Sequence, residues 1–170
     1  MKKVLPVLAA LFILGLIGGC GDDSPDELDI TFGITYNHTF TIQGDAATLS
    51  LDINLEDNDD YDRYKSKIRS VKIDYVRYSI TSNTGGGGTV DLYAGNYGSE
   101  FLNAKKVAQT ISFAAGETRD VTDVEWIDKA FLESLLAGGK LSLWAVGSGV
   151  DIDMIVPVVI RIEVTANPLE

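Results

Sequence analysis

The chain of 170 residues predicts an all-β fold, namely an antiparallel β-sandwich of Ig-like architecture with about eight strands and one α-helix near residues 123–137. Apolar and polar side chains alternate with period two over several segments, which is typical of half-buried strands. Stretches rich in Gly, Asn and Asp separate these segments. A closed barrel is the alternative, and the Cys…Trp…Cys pattern of antibody domains is absent because the chain has one cysteine.

The first two segments predict neighbouring antiparallel strands. Apolar residues take the even positions of residues 28–42, and polar residues take the odd ones. Because this segment is long for one strand, we expect a bend near Gly33 or Asn37. A turn is predicted at 43–45, and the alternation resumes at 49–55 in a second strand.

The middle of the chain predicts a polar loop at 56–67 and a strand at 68–81. The apolar phase of that strand shifts by one residue near Tyr75 and Val76, which indicates a β-bulge. The glycine run 85–88 is predicted to be a mobile loop tip and a contact site. It is not a phosphate-binding loop, because the Lys and Ser or Thr of that motif do not follow it.

Short strands are predicted at 90–94 and 107–113, with an irregular connection between them. Residues 141–146 form a nearly continuous apolar run, so this strand is expected to be buried on both faces. The last strand is predicted at 154–165. It contains Pro157, which lacks a backbone donor and therefore indicates an edge or a bulge.

One helix is predicted at 123–137. Thr122 and Glu125 have the spacing of a capping box, in which each side chain bonds to the backbone amide of the other residue. Val121 and Trp126 have the spacing of a hydrophobic staple around the same start. The apolar stripe at helical spacing consists of Val124, Ile127, Phe131, Leu132, Leu135 and Leu136.

The beginning of the chain has the layout of a secretory signal. Lys2 and Lys3 form a positively charged start, residues 4–17 are apolar and uncharged, and a pair of glycines suits a cleavage site. A membrane-spanning helix is the alternative, but it needs about 20 apolar residues, whereas this run is shorter and contains Pro6. We therefore expect export rather than a membrane span.

Residues 17–20, Ile-Gly-Gly-Cys, resemble the lipobox of bacterial lipoprotein precursors, which consists of an aliphatic residue, two small residues and a cysteine. The resemblance covers residues 1–20 only. It implies that a diacylglycerol is attached to the sulfur of Cys20 and that a peptidase removes residues 1–19. Because Gly21 rather than Asp follows the cysteine, it also implies sorting to the outer membrane of a two-membrane cell.

The cysteine count supports lipidation. Cys20 is the only cysteine, so the chain forms no internal disulfide, and its Gly- and Asp-rich surroundings do not suit a buried thiol. Each buried CH₂ of an acyl chain stabilises the anchor by about 0.8 kcal/mol, and two or more chains make it durable. The membrane is therefore the expected partner, held through the covalent lipid on Cys20.

The remaining chain is acidic and is expected to form one domain. The full chain has 14 Lys and Arg against 25 Asp and Glu, and loss of Lys2 and Lys3 changes its net charge from −11 to −13. Nucleic acid is excluded as a partner, because it requires a basic surface. Residues 20–27 are predicted to be the lipidated cysteine and an acidic tether of roughly 25 Å, and residues 28–170 a single β-sandwich.

The acidic segment 57–62 is the candidate for a Ca²⁺ site, because carboxylate oxygens are the ligands that this ion prefers. Asp151 and Asp153 would add ligands if the fold brought them near. The segment does not fit the EF-hand template. We favour a solvated loop that keeps a sheet edge from associating, and no metal site is predicted.

His38 is the only histidine, so a His/Cys zinc site and a Ser-His-Asp triad are not expected. No pair of carboxylates lies in a context that marks a glycoside hydrolase. Aromatic residues beside loops are typical of carbohydrate-binding surfaces and of ordinary packing, and we favour packing. These residues are Tyr61, Tyr64, Tyr93 and Tyr97.

The sequence thus predicts a membrane-anchored lipoprotein of the cell envelope with a non-enzymatic binding or structural role. No catalytic residue, cofactor or metal is predicted. An envelope protein or a glycan is the expected partner, and the outer membrane, on its periplasmic or its surface face, the expected location. The alternatives are a subunit of a surface assembly joined by strand addition, and a hydrolase with two carboxylates about 5–10 Å apart.

Overall fold

The structure is a computed structural model that describes residues 29–169. The leader, Cys20, the tether, Leu28 and Glu170 lie outside the described residues. Within the described range, eight strands form an antiparallel sheet accompanied by two short α-helices, and the predicted all-β sandwich is confirmed. No helix in this range is long and apolar enough to cross a membrane.

The strands differ greatly in length, and two of them exceed twenty residues. The strands are β1 (Ile30–Asn54), β2 (Ile68–Ile80), β3 (Ser82–Asn83), β4 (Gly88–Gly95), β5 (Lys105–Lys106), β6 (Ile111–Phe113), β7 (Arg119–Asp123) and β8 (Lys140–Ala166). The helices are α1 (Asp59–Tyr64) and α2 (Lys129–Leu136), and 3-10 turns lie at Leu55–Asp57, Lys65–Lys67 and Phe101–Asn103.

β8 is the central strand. It pairs along one side with β1, and along the other side with β4, β3 and β2 in succession. β7 extends the sheet beyond β2, while β5 and β6 pair with β4. Every pairing is antiparallel, and the register with β8 therefore positions most of the sheet.

β1 and β8 bend together near their middles. Their pairing is interrupted between Gly44 and Ala46 of β1. Opposite this point Asp151 has a φ of 47°, and its backbone N–H donates to the carboxylate of Asp45 at 2.8 Å. Because both strands have an irregularity at the same level, the two-stranded ribbon bends as a unit and remains paired on both sides of the bend.

The bend divides the sheet into two layers. The first layer contains the half of β1 before the bend and the half of β8 after it, with β2, β3 and β7. The second layer contains the other halves of β1 and β8, with β4, β5 and β6. The layers face each other, because the hydroxyl of Tyr36 in the first donates to the carbonyl oxygen of Asn54 in the second at 2.8 Å.

The core lies between the two layers, and α2 packs against it through Leu132 and Leu136. Every second residue of β1 and β8 points into the core, as the pleat of a strand requires. The largest side chains that are almost fully buried include Ile42, Ile53, Ile73, Leu141, Ile152, Met154 and Ile162.

The predicted hairpin at the start of the chain is wrong. Segments 28–42 and 49–55 contribute to one strand, β1, and each pairs with β8 rather than with the other. The predicted turn at 43–45 is the bend inside that strand. No bend lies at Gly33 or Asn37, where the pairing with β8 is continuous.

Later strands are confirmed with shifted ends. Segment 90–94 lies within β4, and only the end of segment 107–113 is a strand, β6. Segments 141–146 and 154–165 are parts of β8. Burial of 141–146 on both faces is confirmed, since even the outward-facing Ser142 is buried.

The β-bulge predicted in β2 is confirmed, because the register with β8 shifts between Ile73 and Tyr75. Pro157 is not on an edge strand. It lies in β8 between Val158, where the pairing with β2 ends, and Ile155, where the pairing with β3 begins. Its missing N–H therefore falls in a gap of the hydrogen-bond ladder on that side.

The helix begins later than predicted. Thr122 and Glu125 form no capping box, because β7 pairs with β2 there and the hydroxyl of Thr122 donates to the carbonyl of Asp120 at 2.9 Å. The N-cap is Asp128, whose carboxylate accepts the N–H of Phe131 at 2.9 Å. The ladder with β2 thus prevails over a local capping pattern.

The predicted polar loop 56–67 is partly helical. The side-chain oxygen of Asn58 accepts the N–H groups of Asp60 and Tyr61, each at 3.1 Å, and so caps α1. Acidic residues occupy the first turn and Arg63 the last, which suits the helix dipole.

The glycine run 85–88 is not a loop tip that extends freely. A Cβ atom at Gly85 would lie 2.0 Å from the carbonyl oxygen of Asp151, and one at Gly86 would lie 2.0 Å from that of Val150. The N–H of Gly86 also donates to Asp151 at 3.0 Å. The run therefore packs against the bend of β8, where only glycine allows the close approach.

Candidate functional site

One side of β1 is unpaired. β1 pairs with β8 along its length and with no other strand in the described part of the chain. In an antiparallel strand, alternate residues direct their N–H and C=O groups away from the paired neighbour. We call this unpaired side the β1 edge. With 25 residues in β1, it is a long template for a further strand.

The part of β1 before the bend lacks the features that usually protect an edge. Residues 30–44 contain no Asp, Glu, Lys, Arg or Pro, whereas edge strands are normally shortened or carry charges or prolines. The other outer strands have such protection. β5 consists of two lysines, and β7 carries Arg119, Asp120 and Asp123 within five residues.

The two faces of residues 30–44 differ in polarity. The outer face is exposed and carries mainly Thr and Asn. The inner face contains buried Ile34, Phe40 and Ile42. His38 lies on this inner face, half-buried, with its ring edge-on to Phe40 at 4.5 Å between ring centroids. A strand added at the β1 edge would therefore continue one polar and one apolar row.

The opposite side of the sandwich is closed by Arg119. Its guanidinium donates to the hydroxyl of Tyr78 and to the carbonyl of Ser112, each at 2.8 Å, and to the carboxylate of Glu117. These bonds link β7 in the first layer to β6 in the second. A depression of about 210 Å³ beside Arg119 also has Asp123 and Glu125 in its wall.

Backbone hydrogen bonds close the same side further along the chain. The N–H of Gln109 donates to Glu125, and the N–H of Ile127 donates to Val107, each at 2.8 Å. The N–H of Val124 donates to the carbonyl oxygen of Val76 in β2 at 2.9 Å. These bonds use backbone groups of segments 107–109 and 124–127 within the chain, whereas β6 and β7 each keep one side without a partner strand among the described residues.

Several carboxylates are held in the ionised form by hydrogen bonds. The backbone N–H of Ala114 and the guanidinium of Arg119 lower the pKa of Glu117. A hydrogen bond from Lys105, and then one from the backbone N–H of Phe131, lowers the pKa of Asp128. A general acid in catalysis requires a raised pKa, so neither carboxylate is suited to that role.

Tyr36 is held in its protonated form. Burial, and then the negative charge of Asp57, raises the pKa of its hydroxyl to about 12. The hydroxyl therefore donates to Asn54 across the whole physiological pH range and joins the two layers beside the β1 edge.

The candidate calcium ligands do not come together. Segment 57–62 lies at the end of the sandwich where β1 leaves the second layer, whereas Asp151 and Asp153 lie at the bend. Asp62 pairs with Lys65 at 2.9 Å. Among residues 29–169, no group of three or more His, Cys, Asp and Glu side chains is placed to hold a metal ion.

Two of the four aromatic residues considered for carbohydrate binding, Tyr64 and Tyr93, pack against other rings. Tyr93 contacts Phe101 edge-on at 5.1 Å, and Phe101 lies 6.2 Å from Trp144. Tyr61 is buried, and Tyr97 is the one of the four that remains exposed, at 48%. The structure therefore leaves only one of the four tyrosines exposed, which is not an aromatic platform.

An apolar cavity of about 50 Å³ lies between the layers. Its walls include Phe40, Tyr78, Val107, Phe113 and Leu143. Sites for organic ligands usually measure about 300–1,000 Å³, so this cavity has the character of a packing void.

Sequence reasoning did not identify the β1 edge as a site. The available signal is the absence of charged residues and proline over residues 30–44. This absence is compatible with a strand, but it does not indicate whether one side of the strand is unpaired. Which side of a strand stays unpaired depends on the partner strand, and β8 lies about a hundred residues away along the chain.

Comparisons with known proteins yield no family. No family model and no curated protein matches the chain. A solved structure of desmodium yellow mottle tymovirus has 12% identity and a TM-score of 0.31, with 100% of this chain and 97% of that chain covered. A structure of infectious bursal disease virus, Gx strain, has 14% identity and a TM-score of 0.32, with 88% and 40% covered. These TM-scores are too low to identify a shared fold, and we infer nothing from them.

Proposed function

We propose that the protein is a membrane-anchored lipoprotein of the cell envelope, attached through lipid on Cys20, and that its β-sandwich has a non-enzymatic binding or structural role. The observation that supports a binding role is the β1 edge, with its long unpaired row of backbone groups. We propose that this edge accepts an extended segment of another polypeptide by strand addition, as a subunit of a surface assembly would.

The chemistry of the edge favours a protein partner over a glycan. Strand addition requires N–H and C=O groups that alternate at the spacing of a strand, which an extended polypeptide provides. Main-chain hydrogen bonds then supply affinity, and the exposed threonines and Asn37 beside the edge supply specificity.

The proposed anchor and the edge are neighbours along the chain. Asp29 pairs with Arg69 at 3.2 Å, and β1 begins at the next residue. The tether before Asp29 spans roughly 25 Å when extended. The edge would therefore lie close to the membrane and meet partners that are themselves in or on it.

The anchor is tested by labelling cells with radioactive palmitate. The wild-type protein should incorporate label, Cys20→Ser should not, and the matched variant Ser24→Ala should behave like wild type. Equal labelling of the wild type and Cys20→Ser would contradict lipidation.

The edge is tested by a photo-cross-linking amino acid placed in the full chain in its own membrane. At Thr39, on the exposed face of β1, it should give a discrete cross-linked product. At Thr122, on the exposed face of β7, it should give none, because β7 is short and its charged residues protect it from strand addition. The same yield at both positions would contradict a role for the β1 edge.

A further inference from the structure

We propose that the partner of the β1 edge is a second copy of this chain, and that the two copies pair β1 to β1 in antiparallel orientation about a twofold axis at Asn37. The inference rests on the proposed function, because it names the occupant of the same edge. Such a contact is isologous, so both copies use the same residues.

Residues 30–44 are complementary to themselves in this register. In this register the residue numbers of two opposed residues add up to 74. Even-numbered residues, which form the inner face, therefore lie opposite even-numbered residues of the second copy. Pairs of aromatic and β-branched residues, and pairs of threonines, stabilise neighbouring antiparallel strands. The opposed residues are Ile30 with Gly44, Phe32 with Ile42, Ile34 with Phe40 and Tyr36 with His38 on the inner face, and Thr31 with Gln43, Gly33 with Thr41, Thr35 with Thr39 and Asn37 with itself on the outer face.

The charge of the protein favours this segment for self-association. The full chain carries a net charge of −11, and two copies of it repel each other wherever their acidic surfaces meet. Residues 30–44 carry no charged side chain, whereas the rest of β1 includes Asp45 and Asp52. Like charges directly opposite each other destabilise a strand pair. Within residues 30–44 the pairing about Asn37 contains none, and the register sets Asp29, which pairs with Arg69, opposite Asp45 at the bend just beyond it.

Half-buried side chains at the edge would be covered by the pairing. Phe32, Tyr36 and His38 lie on the inner face and are only partly buried in the single chain. In the proposed dimer each of them lies beside a residue of the second copy's inner row. Removing this apolar surface from water favours association of the two copies.

Anchoring would raise the rate of encounter. Two copies held in one membrane are confined to a thin layer, which raises their effective concentration. In the antiparallel pair the two tethers leave from opposite ends of the paired segments, roughly 50 Å apart. Both reach the same membrane when the twofold axis is parallel to the membrane normal.

The register is tested by cysteine cross-linking of the full chain in its native membrane. Opposed residues of an antiparallel pair lie about 4.5–5.5 Å apart between Cα atoms, which suits a disulfide. Under mild oxidation Asn37→Cys should form a dimer by itself. Thr35→Cys should not, but it should form one when produced together with Thr39→Cys.

The controls are the wild type, which contains only Cys20, and Thr122→Cys on β7, and neither should form a dimer. Absence of the Asn37→Cys dimer would overturn self-pairing, and so would a Thr35→Cys dimer as abundant as the mixed one. If Asn37→Cys fails while the photo-cross-linker at Thr39 captures a different envelope protein, self-pairing is wrong and strand addition stands. If both fail, the binding role of the edge is wrong as well.

A charge placed on the axis provides an independent measurement. Asn37→Lys puts two like charges opposite each other in the dimer and leaves the exposed face of the single chain otherwise unchanged. We expect it to raise the dissociation constant of the detergent-extracted full chain about tenfold or more in sedimentation. Thr122→Lys should leave the constant unchanged, and an unchanged constant for Asn37→Lys would overturn the proposal.

Discussion

The two lateral sides of this sandwich end in opposite ways. On one side a single long strand, β1, forms the edge of both layers and has no charge in its first fifteen residues. On the other side short strands carry charges, and Arg119 and several backbone amides bond across the layers. One side thus has layers bonded to each other and charged outer strands, while the other offers a long uncharged template, and this difference is the basis of the proposal that β1 accepts a partner strand.

The largest expected effect separates the inner face of β1 from its outer face. Ile42 is 1% exposed, and Ile42→Ala should lower the free energy of unfolding by about 2–5 kcal/mol because it leaves a cavity in the core. Thr41→Ala, one residue away on the exposed face, should change it by less than about 0.5 kcal/mol. Urea unfolding of the two variants measures the difference, and similar losses would show that the faces are assigned incorrectly.

The next largest effect measures how much the hydrogen bonds of Arg119, on the side opposite β1, contribute to the free energy of unfolding. Arg119→Ala removes the donors to Tyr78, Ser112 and Glu117 and should cost about 1.5–3 kcal/mol. Arg77→Ala removes an exposed ion pair with Asp123 and an exposed cation–π contact with Tyr75 at 4.1 Å, and should cost about 1 kcal/mol or less. Urea denaturation measures both variants. Equal denaturation midpoints would show that the bonds of Arg119 across the layers contribute no more to stability than an exposed ion pair.

The closed side should also depend on pH. Because hydrogen bonds lower the pKa of Glu117 in the folded chain, its contribution to stability is complete above its unfolded pKa of about 4.3 and is lost as the pH falls through the lower folded value. The difference in unfolding free energy between wild type and Glu117→Gln should therefore be constant near neutrality and shrink below about pH 4.3.

Thermal unfolding from pH 7 to pH 3 measures this dependence. A variant of the open side, Thr39→Ala, should follow the wild-type profile, because residues 30–44 contain no carboxylate. A difference for Glu117→Gln that grows on acidification would contradict the lowered pKa.

The smallest effect concerns the space between the layers. Val107 is fully buried and lines the cavity of about 50 Å³, so Val107→Ile should fill part of it and stabilise the fold by up to about 1 kcal/mol. Val121→Ile, at a residue 69% exposed, is the matched control and should leave the melting temperature unchanged. A lower melting temperature for Val107→Ile would show that the cavity is too narrow for an added methylene.

Local patterns were wrong where a distant partner decided the outcome. Thr122 and Glu125 match a capping box, but the strand ladder with β2 takes up that stretch, and Val121 of the expected staple is 69% exposed. The cap that forms, Asp128, was also present in the sequence. Asn58 was a comparable signal for α1, and its helix was missed because six residues provide too little apolar periodicity.

By itself the sequence determined the all-β class, the inward and outward faces of the strands and the bulge in β2, because side-chain alternation depends only on the pleat of a strand. The continuity of β1 through its bend depended on a matching irregularity in β8. The unpaired edge depended on where β8 lies. Both required contacts between residues about a hundred positions apart, so only the tertiary structure decided which uncharged strand was left open.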